Sequence, residues 1–174
     1  MKVKGEVMDM HKKWSIFVMV SLLVLSVSVN KVQAKSASKI FLHYTDDATK
    51  KAVKGVTFTL NKVAGEGKSG YVFTKAYQKN KVTLSSDDTL KNIQIAKQLE
   101  KVSKKGIKRT TNKQGKITFN NLKAGVYLIR QTKAAGSAKN YQKIEPFLVY
   151  LTESTKKVTY DLTAITPVTM TVFG

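Results

Sequence analysis

Two short alternating runs, Lys116–Asn120 and Val126–Gln131, constrain the fold more than any other part of this chain. Ile117 and Phe119 fall on one face of the first. In the second, Val126, Leu128 and Arg130 share a face opposite Tyr127 and Ile129. A period of two marks strands, and the polar turn between the runs closes on Gly125. The expectation is a pair of strands joined as a hairpin.

The same reasoning extends along the chain. Lys39–Tyr44 reads as a first strand with Ile40, Leu42 and Tyr44 on one side, and Gly55–Val63 sets Val56, Phe58 and Leu60 against Thr57, Thr59 and Asn61. Tyr71–Lys75 and Lys81–Leu84 are shorter strand expectations, Pro146–Leu151 a buried strand and Lys157–Ile165 the last, with Thr132–Lys143 a long polar loop. One helix is expected near 87–105. Ser85, Ser86, Asp87 and Asp88 supply capping oxygens and early negative charge. Leu90, Ile93, Ala96 (or Lys97), Leu99 and Val102 recur about every three residues, and Gly106 marks the stop. No segment repeats at a fixed period. Eight or nine short strands with one helix predict an all-β sandwich with an inserted α-helix, a single domain over 35–174.

Residues 1–34 read as a signal peptide. Lys12 and Lys13 precede an apolar run from Trp14 to Val29, and Val32-Gln33-Ala34 is a small-residue cleavage site. An uncut membrane anchor is the alternative, but the run is short for a span. Cleavage after Ala34 leaves 140 residues, enough for one core, and no membrane attachment. The absence of cysteine excludes disulfide staples from an exported chain. The 31 Lys+Arg and 11 Asp+Glu include five lysines and two acids before Lys35, so the mature part has 26 against 9, a net +17. Such a charge draws a domain toward anionic polymers, although scattered lysines also serve as plain solvated surface. Lys104, Lys105, Lys108 and Arg109 form the one local cluster. It lacks the interleaved aromatics of single-strand binders, and export argues against nucleic acid.

No enzyme or cofactor is expected. The mature chain has one histidine, His43, and no cysteine to share a metal with it. No nucleophile elbow, phosphate loop or dinucleotide fingerprint occurs. Glu145 and Glu153 stand near one strand without the pairing a glycosidase needs. The expected catalytic, cofactor and metal residues are therefore none.

The string Thr111-Asn112, Gly115, Ile117-Thr118-Phe119, then Leu122-x-x-Gly125-x-Tyr127-Leu128-Ile129-x-Gln131 strongly resembles the B-type repeat of Gram-positive surface proteins and sortase-assembled pilins. These are the SpaA-like, CnaB-type domains with an Ig-like or prealbumin-like β-sandwich. The resemblance implies a secreted or cell-surface structural and adhesive role, with other pilins or cell-wall components as partners. It also implies a chemistry, an internal isopeptide bond between a first-strand lysine and a last-strand Asn or Asp, assisted by a buried glutamate. In this sequence Tyr44 falls on the lysine, Gln131 on the glutamate, and Asp161 is the last acid available. No internal bond is expected. Val168 stands where a shaft pilin carries its acceptor lysine, and no sorting signal occurs within the 174 residues. A self-polymerising shaft subunit is therefore not expected. Two further readings remain open: a secreted cationic protein that binds teichoic acid or a glycosaminoglycan of the host matrix, and a remnant of a longer pilin.

Overall fold

The computed structural model describes residues 37–167. The 1–34 segment, the Ala34–Lys35 junction and Val168 lie outside the described residues. In chain order the elements are β1 (Ser38–Asp46), β2 (Val56–Gly67), β3 (Gly70–Phe73), α1 (Thr89–Val102), β4 (Ile107–Thr110), β5 (Lys116–Leu122), β6 (Gly125–Ala134), a 3₁₀ turn (Gly136–Asn140), β7 (Phe147–Leu151) and β8 (Lys157–Ala164). They form two sheets. One runs β5-β1-β8, with β1 antiparallel to β5 and parallel to β8. The other runs β3-β2-β6-β7, and β4 also pairs with β2. Among the described residues the architecture is the expected β-sandwich with one α-helix.

Pairing of the two central runs differs from expectation. Strands β5 and β6 are not a hairpin: β5 pairs with β1, and β6 with β2 and β7. The turn at Gly125 carries the chain from one sheet to the other. Alternation reports that each strand buries a face, and it is silent about which neighbour supplies the hydrogen bonds. Across this arch, Ile117 and Phe119 meet Tyr127 and Ile129 in one core, together with Ile40, Leu42, Tyr44, Phe58, Leu60 and Val149. Full burial of each such side chain contributes about 1.5–3 kcal/mol.

The other face of β6 builds a second layer. Val126 and Leu128, with Val63 and Leu148, pack against Ile95, Ala96 and Leu99 of α1. The buried helical stripe is thus Ile95, Ala96 and Leu99, whereas the expected Leu90 is 76% exposed. Asp88 caps the helix by accepting from the Lys91 N–H at 2.9 Å. The helix ends at Ser103 rather than Gly106. Gly106 has a packing role, since a Cβ there would lie 2.6 Å from the Leu60 carbonyl oxygen. Lys81–Leu84 is not a strand; Val82 and Leu84 pack on the helix layer instead. Strand β4, four exposed residues at a sheet edge, carries no alternation that would announce it.

Candidate functional site

Strand β1 presents Ile40, Leu42, Tyr44 and Asp46 to the interior, because every second residue of its pleat is buried. Its parallel partner β8 sets Leu162 beside Tyr44 and Asp161 beside His43. Tyr44, Gln131 and Asp161 are therefore not all brought together. Tyr44 is fully buried, with its ring edge-on to Phe58 at 6.0 Å. Gln131 is buried on β6, paired in register with Phe58. Asp161 points outward, its side chain 80% exposed and 3.3 Å from His43 Nδ1. The inward residues of β8 are Val158, Tyr160, Leu162 and Ala164, partly or fully buried against the core. Period-two counting from Tyr160 could have placed Asp161 outside.

Each buried polar group at this end of the sandwich has a distinct situation. Gln131 Oε1 accepts from the Ile144 N–H at 2.8 Å, so the amide fastens the segment before β7. Asp46 accepts from the Thr49 hydroxyl and the Thr49 N–H, both at 2.6 Å, which closes the turn after β1. These bonds hold its carboxyl below the usual aspartate range, with the Tyr141 hydroxyl as a weaker partner. Tyr141 is pushed up, chiefly by that same bond to Asp46. Burial raises the Tyr44 hydroxyl, and Tyr141 adds to the effect.

Tyr44 Oη is the exception to this satisfaction: it is buried and has no hydrogen-bond partner among the described residues. Leaving a hydroxyl so placed carries its full desolvation cost. Tyr44→Phe keeps the ring and its contact with Phe58 while removing the orphan oxygen. The expected result is a gain in unfolding free energy of about 1 kcal/mol, read by urea denaturation. A loss of similar size would mean that the hydroxyl is satisfied in solution.

A phenol, a primary amide and a leucine include no amine nucleophile and no carboxylic acid to relay a proton; the one side-chain carbonyl among them, that of Gln131, is held by the Ile144 N–H. Among the described residues no group of three or more His, Cys, Asp or Glu is placed to hold a metal.

The sequence profile of the Gram-positive pilin subunit D1, N-terminal domain, matches residues 32–165, which takes in all of β1 to β8. The chain belongs to this family. Pilin subunits of this kind are structural proteins of the Gram-positive cell surface that assemble with other pilins and cell-wall components. Among solved structures, the D1-family domain is similar to BcpA, the major pilin subunit of Bacillus cereus, at 19% identity and a TM-score of 0.45, covering 76% of this chain and 31% of that one. It is similar to the full-length major pilin SpaD of Corynebacterium diphtheriae at 21% identity and a TM-score of 0.48, covering 74% and 30%. The shaft pilin SpaA of Lactobacillus rhamnosus GG gives 16% identity and a TM-score of 0.48, covering 76% and 52%. The chain thus spans about a third of the first two and half of the third. No curated protein matches it in sequence. No helix among the described residues is long and apolar enough to cross a membrane.

Beyond the expected residues, the fold gathers others that the sequence did not connect. Arg130 and Lys133 on β6 join the cluster at Lys104–Lys108 through β2, which pairs with both β4 and β6. Recognising β4 as a strand would have been the signal.

Proposed function

We propose that this chain is an exported structural module of the Gram-positive cell surface, a pilin-type domain that works without an internal isopeptide bond and without catalysis. Residues 1–34 would be removed after Ala34. The observation that carries the reading is the inward-facing set at the place of the family's cross-link. Tyr44 stands on the first strand, Leu162 beside it on the last, and Gln131 on the central strand. An amide bond there needs a neutral amine to attack an activated carboxyl or carboxamide, with a protonated acid to move the proton. Tyr44 and Leu162 offer neither reacting group. Packing supports the alternative: Ile40 and Leu42 of the first strand and Leu162 and Ala164 of the last share one core with Phe58 and Ile129 of the facing sheet.

Intact mass spectrometry of residues 35–174 tests the chemistry. The measured mass should equal that calculated from sequence, with no loss of ammonia or water. A loss of either, mapped by fragmentation to a lysine joined to an Asn or Asp, would overturn the cross-link-free reading. The location is tested separately by protease shaving of intact cells of the native host. Peptides of the mature domain should appear in the released fraction; their confinement to lysed cells would overturn the surface assignment.

A further inference from the structure

Segments far apart in sequence deliver cations to one surface of the five-stranded sheet. Lys104 and Lys105 follow α1, Lys108 lies on β4, and Arg130 and Lys133 lie on β6. Register aligns them in rungs. Lys108 stands opposite Thr59, which stands opposite Arg130; Thr110 stands opposite Thr57, which stands opposite Lys133. Neighbouring strands are about 4.8 Å apart, so Lys108 and Arg130 are separated by about 10 Å at the backbone with a threonine between them. Helix α1 packs over β6 and β7, and Lys104, Lys105, Lys108, Thr110, Thr132 and Lys133 are exposed.

The surface is ordered by its own hydrogen bonds. Arg130 donates from Nη2 to the Lys104 carbonyl at 2.7 Å and lies 3.4 Å from Asn61 Oδ1. Asn61 Nδ2 in turn donates to the Lys105 carbonyl at 2.6 Å. The loop bearing both lysines is thus tied to the sheet before any ligand arrives, which lowers the ordering cost of binding. Between the cations, Thr57 and Thr110 hydroxyls pair at 2.9 Å, as do Thr59 and Thr132. Among the described residues, ion pairs involve none of these cations. The carboxylate beside them, Glu100, is taken by Lys143 at 2.8 Å.

We propose that this face is a binding site for a phosphodiester-linked polyol, a polymer with one anion per repeat and hydroxyls between. Lys108, Arg130 and Lys133, set apart in rungs with the exposed hydroxyls of Thr110 and Thr132 beside them, match such a low charge density. A heavily sulfated polysaccharide presents several anions per repeat and is best met by contiguous cations. Arg130, its Nε and Nη2 held by Asn61 and the Lys104 carbonyl, adds a fixed positive charge to the same face. This site is independent of the pilin reading above and of whether the domain is cross-linked.

The whole-domain charge is the rival explanation, so the test holds it fixed. One variant changes Lys104, Lys105, Lys108 and Lys133 to Gln; the other changes Lys68, Lys75, Lys79 and Lys81 to Gln. All eight are exposed, and both variants lose the same charge. Binding of residues 35–174 to a glycerol phosphate polymer and to heparin is measured across a salt series, with thermal unfolding to verify that each variant is folded. The patch variant should bind the glycerol phosphate polymer about tenfold or more weakly, with a salt slope lower by about one for each lost contact. The control variant should lose less than about threefold, since it removes only a share of the long-range field. Equal losses would overturn the site in favour of a diffuse field. Absence of binding by the parent chain would overturn it outright. Heparin bound more tightly than the glycerol phosphate polymer at matched charge would overturn the ligand class.

Discussion

Replacing Phe119 by Ala should cost about 3–5 kcal/mol of unfolding free energy, the range for emptying a fully packed aromatic site. Phe119 is 1% exposed and sits on β5, paired in register with Ile40 of β1. Its ring points across the sandwich into the cluster with Phe58, Tyr127 and Ile129, which belong to the opposite sheet. The cavity would therefore open between two sheets, and β5 cannot move alone to fill it without disturbing its pairing with β1. Urea denaturation of the wild type and the variant measures the loss. Val72→Ala is the control, because Val72 is 62% exposed and should change stability by less than about 0.5 kcal/mol. A loss below about 1 kcal/mol for Phe119→Ala would mean that β5 does not face the core.

The buried faces were legible from residue order because burial leaves a periodic mark. Ile40, Leu42 and Tyr44, Val56, Phe58 and Leu60, and Ile117 and Phe119 all point where alternation sends them. Pairing leaves no such mark, since backbone hydrogen bonds are common to all residues. That is why β5 and β6 read as a hairpin although their sheets differ. Leu128 shows the same limit in another form. It is buried, yet it faces α1 rather than the sandwich core, because β6 is a central strand covered on both faces. Helical period three misled at Leu90, where a position in the first turn lies off the buried stripe of Ile95, Ala96 and Leu99.

For the candidate site, Gln131 was pinned by the motif around it and lies where that motif predicts, on the inward face of β6. Asp161 was named as the last acid in the chain, a criterion blind to orientation, and the pleat turns it out toward His43. The cationic face was half visible. Lys104, Lys105 and Lys108 lie within five residues of sequence, but Arg130 and Lys133 come from a strand more than twenty residues away and reach them only through β2. Arg109, the fourth member of the cluster, follows the pleat of β4 to the opposite side, in register with Phe58. Nothing local to either segment specifies that meeting.

Gly125→Ala should be strongly destabilising, with a loss of about 2–6 kcal/mol. Two independent costs add. Gly125 has φ +140°, a conformation that a side chain strains by about 1–3 kcal/mol. A Cβ at this position would also lie 2.3 Å from the Ala64 carbonyl oxygen and 2.8 Å from Lys62 Cε. Relieving that contact means displacing backbone in a packed strand, at about 1–3 kcal/mol more. The surroundings cannot yield cheaply. Lys62 Nζ donates to the Ala124 carbonyl at 2.7 Å, and the Tyr127 hydroxyl donates to the Lys123 carbonyl at 2.7 Å. Gly125 itself pairs with Leu151, and Val126 with Ala64 across the bulge in β2. The chain needs this residue bare because the arch from β5 to β6 must bring its backbone against β2 as it changes sheets. Gly65→Ala isolates the cause. Gly65 is adjacent in space, but a Cβ there meets nothing within 4 Å, so the substitution should be neutral or should stabilise by about 0.4–1 kcal/mol through the unfolded chain. Denaturation curves for both variants decide the matter. A Gly125→Ala protein within about 1 kcal/mol of wild type would show that the arch has room to spare and that the glycine of the Leu-x-x-Gly-x-Tyr string is not required by this close approach.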